Sequence, residues 1–262
     1  MKIYEIKDYE DGTGKGVLLY FEKAKEFLIE LVEDMDEWTA PLLFSGLVKK
    51  GIFTVPRDLS RAWVEERVIP SGRQNINDIL THHHLKEYDE MKLLELSEGR
   101  CSQDTLYIRK IEELPDFVLN RMRTNISEFV ILNEASALCI FADETIRKIP
   151  IDKSEVFIEV RNNPKLLESG KVGCGGYYVT FNDSIDIPAS VLYNAGVPVP
   201  LTRSDVITFI QKNVLDTTQS CKLLNCSRQN LSYLVKQESL LAAKSDVNGS
   251  LFMKGDVLRN MW

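Results

Sequence analysis

The feature that most constrains this chain is a pair of short helical patterns near its C-terminal end. The first begins at the capping residues Thr217 and Thr218 and the second at Ser227, since hydroxyl side chains accept hydrogen bonds from free amides in a helix's first turn. Asn225 lies between the two, and Asn tolerates the left-handed backbone of a tight turn. Each pattern has an inward apolar side, formed by Cys221, Leu223 and Leu224 in the first and by Leu231, Leu234 and Val235 in the second. The sequence therefore predicts a helix, a turn and a second helix.

The second helix carries polar side chains on its outer side. They are Arg228, Gln229, Asn230, Tyr233 and Lys236. Arg, Gln and Asn can each make two hydrogen bonds to the edge of a guanine or an adenine in the major groove. Two helices joined by such a turn form a helix-turn-helix unit, in which the exposed N-terminal end of the second helix enters the groove. The pattern therefore predicts a DNA-reading helix over residues 227–237.

A hairpin and a terminal helix are predicted after this unit. Leu240 to Lys244 and Ser250 to Met253 can pair as two strands around Asn248-Gly249, which is a strong signal for a tight hairpin turn. The stretch from Lys254 to Leu258 then begins a last helix. The predicted order of helix, turn, helix, hairpin and helix is a winged arrangement.

Residues 215–262 resemble the excisionase and MerR-type winged helix-turn-helix family. The resemblance rests on the run from Thr217 to Lys236, followed by Leu240 and Lys244, and then by Phe252 and Asp256-Val257. In that family the second helix reads the major groove, and the hairpin wing contacts the neighbouring DNA backbone. The resemblance therefore implies a wing contact by Lys244 and recognition by Ser227, Arg228, Gln229, Asn230, Tyr233 and Lys236. The family usually has glycine just after the recognition helix, where this chain has Glu238.

Charge is divided unevenly along the chain. From residue 201 to the end there are eight Lys and Arg and five Asp and Glu residues, a net charge of +3, whereas the preceding residues have 24 and 34, a net charge of −10. A polyanion such as DNA therefore has its best partner in the C-terminal segment. We predict an acidic region over residues 1–200, subdivided near residue 150, and a winged helix-turn-helix domain over residues 201–262.

The N-terminal region is predicted to open with a β-hairpin, because Lys2 to Ile6 and Val17 to Phe21 flank a glycine-rich turn. A helical repeat of apolar residues follows from Phe21 to Trp38, with Glu residues on the other side. Its apolar stripe fits either the protein's own core or the contact surface of a homodimer. The stripe includes Phe27, Leu31, Met35 and Trp38.

Proline-interrupted helices are predicted between Trp38 and Ile149. The pattern then becomes β-like at Val156 to Val160 and at Tyr177 to Phe181, and a short helix is predicted from Ala189 to Asn194. The predicted fold class is α+β, with a largely helical N-terminal region, a small β-rich segment and a C-terminal winged helix-turn-helix domain.

Other motifs carry weaker signals. Arg73-Gln74-Asn75 echoes the start of the recognition helix and is either a second DNA-facing segment or a coincidence. His82-His83-His84 lacks the i, i+4 spacing of metal ligands on a helix, and Gly170 to Gly176 lacks the Gly-Lys-Ser/Thr ending of a phosphate-binding loop. Glu90-Met91-Lys92 lacks the strand context of a nuclease. No constellation predicts catalysis, so we expect no enzymatic activity, no cofactor and no metal site.

Composition also indicates where in the cell the protein is expected. The five cysteines include no Cys-x-x-Cys pair, so reduced thiols are expected. No apolar run approaches the about 20 residues that cross a bilayer, and the first residues have no apolar stretch of signal-peptide length. We expect a cytoplasmic protein with no membrane contact.

The sequence favours a DNA-binding protein, a sequence-specific regulator of bacterial or mobile-element origin, with double-stranded DNA and a second copy of the chain as partners. An alternative is a protein-binding adaptor or inhibitor that uses the winged helix and the acidic surface to engage a nucleic-acid enzyme. An enzyme acting on nucleic acid is the third class, and it would require clustered carboxylates with a divalent ion.

Overall fold

The computed structural model describes residues 1–198, 203–247 and 249–261. The chain divides into two compact units, Met1–Leu119 and Asn120–Trp262. The boundary predicted near residue 200 falls at residues 199–202, which lie outside the described residues. No helix in the described part of the chain is long and apolar enough to cross a membrane.

The first unit is built on a five-stranded antiparallel sheet. Its strands are β1 (Lys2–Asp8), β2 (Gly14–Phe21), β3 (Glu26–Leu31), β4 (Thr54–Val55) and β5 (Leu106–Ile111), in the order β4-β3-β2-β1-β5. Its helices are α1 (Ser45–Val48), α2 (Arg57–Glu65), α3 (Ile76–His82) and α4 (Glu90–Leu96), while α5 (Asp116–Met122) contains the boundary between the units. The predicted N-terminal hairpin is confirmed, because β1 and β2 pair with Ile3 opposite Leu19.

The amphipathic helix predicted from Phe21 to Trp38 is wrong. The chain forms β3 there, between β2 and β4, and nearly every β3 side chain is buried. Strands covered on both faces do not alternate between apolar and polar residues, so their periodicity does not identify them. Glu30, expected on a solvated helix face, is fully buried and accepts a 2.9 Å hydrogen bond from Thr54.

Of the two alternatives for the apolar stripe, the protein's own core is the one that the structure supports. Phe27, Leu31 and Met35 lie in the core of the first unit, with at most 7% of their surface exposed. Trp38 differs from them, because it is 85% exposed. The stripe is therefore core up to Met35, and it offers no continuous apolar face to a second copy.

The second unit contains three antiparallel sheets. The first has the order β12-β8-β7-β6, the second β11-β10-β9 and the third β13-β15-β14. Their strands are β6 (Ile126–Asn133), β7 (Ser136–Phe141), β8 (Ile146–Pro150), β9 (Lys171–Val172), β10 (Tyr178–Phe181), β11 (Ile185–Pro188), β12 (Val197–Pro198), β13 (Val214–Asp216), β14 (Lys244–Val247) and β15 (Gly249–Met253). The helices are α6 (Pro164–Glu168), α7 (Ala189–Ala195), α8 (Arg203–Asn213), α9 (Thr217–Leu224), α10 (Arg228–Lys236) and α11 (Lys254–Arg259).

Local predictions in this unit had mixed outcomes. The strand expected at Tyr177 to Phe181 and the helix expected from Ala189 are confirmed by β10 and α7. The strand expected at Val156 to Val160 is wrong, because a 3-10 helix covers Glu155–Phe157. Phe157 and Val160 are both buried while Ile158 is exposed, which is the three-residue spacing of a helical turn.

The predicted fold class is wrong as a whole. The protein is mixed α/β with four antiparallel sheets, and strands instead of helices organise the first 150 residues. The C-terminal segment also packs on the rest of its unit, because Leu258 of α11 and Leu223 of α9 contact the core built on β6, β7 and β10. A sheet buried on both faces and a shared core are tertiary features, which local patterns do not encode.

Candidate nucleic-acid interface

The first helix of the predicted pair begins one residue earlier than expected. The side chain of Asp216 accepts a 2.7 Å hydrogen bond from the amide of Gln219, and the side chain of Gln219 accepts a 3.0 Å bond from the amide of Asp216. This reciprocal pair is a capping box. Thr217 and Thr218 are therefore the first helical residues, and the Asp-x-x-Gln spacing was the signal that the prediction missed.

The turn between the two helices is confirmed. Asn225 ends α9 in the left-handed conformation, with φ 50° and ψ 47°. The next amide, that of Cys226, donates a 3.0 Å hydrogen bond to the carbonyl of Cys221. This closes the end of α9 within one residue, so α10 starts immediately afterwards.

The cap predicted for the second helix is confirmed. The hydroxyl of Ser227 accepts a 3.2 Å hydrogen bond from the amide of Asn230. Behind the helix, a small core holds α10 against the hairpin and the terminal helix. Its buried members are Leu231, Leu240, Phe252 and Val257, with Leu234 and Val235 partly buried beside them.

All seven predicted contact residues are exposed, and six of them lie on or next to one helix. These six are Ser227, Arg228, Gln229, Asn230, Tyr233 and Lys236, whereas Lys244 lies on β14. A helix advances 100° per residue, so Gln229, Tyr233 and Lys236 form the stripe opposite the apolar side. Arg228 and Asn230 flank that stripe. The centre of the exposed face is therefore Gln229, which the sequence did not distinguish from its neighbours.

Arg228 is partly engaged within the protein. Its guanidinium donates a 3.3 Å hydrogen bond to the hydroxyl of Thr218 at the start of α9. A guanidinium has five N–H donors in a planar fork, so this contact leaves others free and orients the side chain. The contact also ties the beginnings of the two helices together.

The end of α10 explains the departure from the family pattern. Glu238 has φ 56°, in the left-handed region that favours glycine. Its amide bonds to the carbonyl of Val235 at 3.1 Å, and the amide of Ser239 bonds to the carbonyl of Leu234 at 3.0 Å. These are the two bonds of a Schellman helix end. The chain thus keeps the geometry of the glycine position with a residue that has a side chain.

The second strand of the predicted hairpin is confirmed by β15, whereas the first strand differs from its prediction. β14 begins at Lys244, where the predicted strand was to end, and Leu240 is a buried core residue. A third strand, β13, pairs with β15 and was not predicted. The predicted Asn248-Gly249 turn is only partly described, since Asn248 lies outside the described residues. Three residues are too few for β13 to show a pattern of its own.

A buried carboxyl joins this segment to the rest of the second unit. The amide of Gly255 in α11 donates hydrogen bonds of 2.9 and 3.0 Å to the two carboxyl oxygens of Glu128 in β6. Asn213, at the end of α8, donates a third bond of 3.2 Å. Burial raises the pKa of Glu128 to about 7. Nothing in the sequence marks this residue apart from one acid within an apolar strand.

The weaker motifs lie elsewhere in the fold. Arg73-Gln74-Asn75 precedes α3 in the first unit, and His82-His83-His84 lies at the end of that helix. In the described ranges, no group of three or more His, Cys, Asp or Glu residues is placed to hold a metal ion. The segment from Gly170 to Gly176 contains β9, which pairs with β10.

Comparison with protein-family models, with curated proteins and with solved structures found no match to this chain. The resemblance of residues 215–262 to the excisionase and MerR-type family therefore stays a prediction, which rests on the residues quoted for it.

Proposed function

We propose that the protein binds double-stranded DNA through α10 and acts as a sequence-specific regulator. The observation that carries the proposal is the exposed start of α10, where Gln229 lies at the centre of the outer face and Arg228 and Asn230 lie on its two flanks. All three side-chain types can make paired hydrogen bonds to purine edges.

The geometry around α10 supports a groove-reading role. The capped turn fixes the helix on its apolar side, and the N-terminal end of a helix carries partial positive charge that favours phosphate. Lys236 at the end of α10 and Lys244 at the start of β14 are both exposed and supply cations. In the proposed complex, Gln229 reads a base from the centre of the face while Lys236 and Lys244 contact phosphates.

The origin, location and oligomeric state belong to the same proposal. A bacterial or mobile-element regulator would act in the cytoplasm. A net charge of +3 over residues 201–262 gives few phosphate contacts, and affinity grows with the number of phosphates neutralised. A homodimer that places two copies of α10 on one duplex would raise the affinity, through a surface other than the buried stripe of the first unit.

The test begins with selection of bound duplexes from random DNA by the full-length protein. On the selected site, Gln229→Ala should weaken binding by about 1–3 kcal/mol and relax the preference at one base pair, without changing the salt slope, because no charge is lost. Lys244→Ala should weaken binding to all sequences and lower the salt slope by about one unit.

Two exposed residues of the same unit provide matched controls. Gln211→Ala and Lys153→Ala make the same chemical changes outside the proposed face and should leave affinity and salt slope unchanged. The proposal fails if no sequence is enriched, or if Gln229→Ala and Gln211→Ala behave alike on the selected duplex.

A second candidate function is a protein-binding adaptor. The observation that favours it is the exposure of apolar surface in the same segment, where Tyr233 is 59% and Leu241 is 66% exposed. Aromatic and aliphatic anchors are typical of protein interfaces. The same selection separates the two, because an adaptor would recover no enriched sequence and would bind duplex only weakly.

A further inference from the structure

A cavity of about 280 Å³ opens on the surface of the second unit, apart from the exposed face of α10. Its wall is formed by residues 129–131 of β6, by Lys212 and Asn213 at the end of α8, and by Lys254 at the start of α11. Ligand sites in proteins commonly measure about 300 to 1,000 Å³. The cavity lies just below this range, so it has room for a small group such as an oxyanion and none for a peptide or a helix.

Two lysine side chains supply the charge of this cavity. Lys212 is held in place, because its ammonium group donates a 2.7 Å hydrogen bond to the carbonyl of Ile131. Lys254 has no hydrogen bond or ion pair with any residue that the structure describes. Burial lowers the pKa of Lys254, and the positive charges of Lys171 and Lys212 act in the same direction. The ammonium group of Lys254 is thus partly desolvated, and no described residue is its direct counter-ion.

The neighbouring carboxyl groups compensate this charge only in part. Glu128 attracts Lys254, but burial raises the pKa of Glu128 to about 7, so its carboxyl group is only partly ionised at neutral pH. Glu168 lines the cavity from α6 as an exposed residue, where water screens its charge. Lys171 is already paired with Asp183 at 2.7 Å. A partly desolvated cation in this setting is stabilised by an anion that enters the cavity.

We propose that this cavity binds the oxyanion group of a small molecule, a phosphate or sulfate group, between Lys254 and Lys212. Asn213 stands beside the two lysines with its amide nitrogen bonded to Glu128 and to the carbonyl of Phe129. The ligand contacts α8, α11 and β6 together, so it braces the joint at which the C-terminal segment meets the rest of its unit. This site does not depend on the proposed DNA contact.

Inorganic sulfate is the probe, because it stays fully charged between pH 5 and pH 9. Full-length protein labelled with ¹⁵N is titrated with sodium sulfate at constant ionic strength, and the amide signal of Gly170, which lines the cavity, is followed by NMR. We expect a saturable, one-site shift. Lys254→Met should weaken the affinity roughly tenfold or more, as expected for loss of a charge-assisted hydrogen bond.

Controls separate the site from general charge effects. Lys212→Met should weaken sulfate binding similarly and serves as the second variant if Lys254→Met does not fold. Lys165→Met makes the same charge change at an exposed residue outside the cavity and should leave the affinity within about twofold. A shift that does not saturate, or equal losses in Lys254→Met and Lys165→Met, would overturn the proposal.

A second arm distinguishes a free ligand from a DNA phosphate, which has the same chemistry. The sulfate titration is repeated with saturating duplex DNA present. Unchanged sulfate affinity supports a small free ligand, whereas loss of sulfate binding assigns the oxyanion to the DNA backbone and overturns the free-ligand proposal.

Discussion

At the residue scale, the end of α10 is held by a side chain in a backbone conformation that disfavours it. Glu238 has φ 56° and supports both bonds of the helix end. A left-handed backbone costs a residue with a side chain about 1–2 kcal/mol, and glycine avoids most of this cost. Glu238→Gly should therefore raise the free energy of unfolding by about 1 kcal/mol, measured by urea denaturation.

The matched variant Glu238→Ala separates backbone from charge, because it removes the carboxylate and keeps the Cβ atom. It should not reproduce the gain. Equal stabilisation by both variants would mean that the negative charge near the helix end, and not the backbone, sets the stability at this position.

The raised pKa of Glu128 makes the stability of the protein depend on pH in a way that can be measured. Burial disfavours the carboxylate and raises the pKa of Glu128 from its ordinary value to about 7. The folded state thus holds this proton more tightly than the unfolded state. Its contribution to stability is fully present below pH about 4.5 and is lost as the pH rises through about 7.

We expect the stability of the wild-type protein, relative to Glu128→Gln, to fall by on the order of 2–3 kcal/mol between pH 5 and pH 8. Denaturation of both proteins across this range measures the difference, in which all other titrating groups cancel. A constant difference across the range would show that Glu128 keeps an ordinary pKa in the fold.

At the scale of elements, α11 approaches β6 so closely that only glycine fits at Gly255. A Cβ atom there would lie 2.1 Å from the carbonyl oxygen of Ser127 and 2.5 Å from a carboxyl oxygen of Glu128. Backbone atoms cannot yield as a flexible side chain can, so α11 would have to move away and lose its bonds to Glu128. Gly255→Ala should destabilise the protein by about 2 kcal/mol or more, measured by thermal or urea unfolding.

Gly46→Ala is the control for this substitution. Gly46 lies within α1 and has no atom within 4 Å of a Cβ position, so alanine there should be neutral or mildly stabilising. If Gly255→Ala behaves like Gly46→Ala, the contact between α11 and β6 is looser than the structure describes.

At the scale of the whole molecule, the two units differ in net charge. Residues 1–119 have 16 Lys and Arg and 24 Asp and Glu, a net charge of −8, whereas residues 120–262 have 16 and 15, a net charge of +1. DNA binding is therefore expected in the second unit. The C-terminal segment shares its core with β6 and β7 of that unit, through Leu223 and Leu258.

A fragment of residues 116–262, which keeps α5 intact, should fold cooperatively and bind the selected duplex with the salt slope of the full chain. A fragment of residues 201–262 should lack a cooperative unfolding transition, because it loses Glu128 and the core that covers Leu258. Circular dichroism melts and duplex titrations of both fragments test this. A cooperative melt of the shorter fragment would make the C-terminal segment an independent domain.

The features that the sequence alone determined depend on interactions between residues close together in the chain. The cap at Ser227, the left-handed turn at Asn225 and the β1–β2 hairpin all depend on residues within a few positions of one another. The exposure of the six proposed DNA-contact residues on or next to α10 also follows from the local apolar spacing, because the apolar side of α10 had to face inward. Such short-range interactions can be read along the chain before any tertiary contact is known.

The tertiary structure alone decided the remaining features, since their causes lie far apart in the chain. β3 is a strand because β2 and β4 pair with it, and its apolar run by itself fits a helix equally well. Glu128 gains its raised pKa, and Lys254 its place in the cavity, from segments that meet across 127 residues of sequence. Burial and strand pairing depend on which distant segments come together, and no local pattern carries that information.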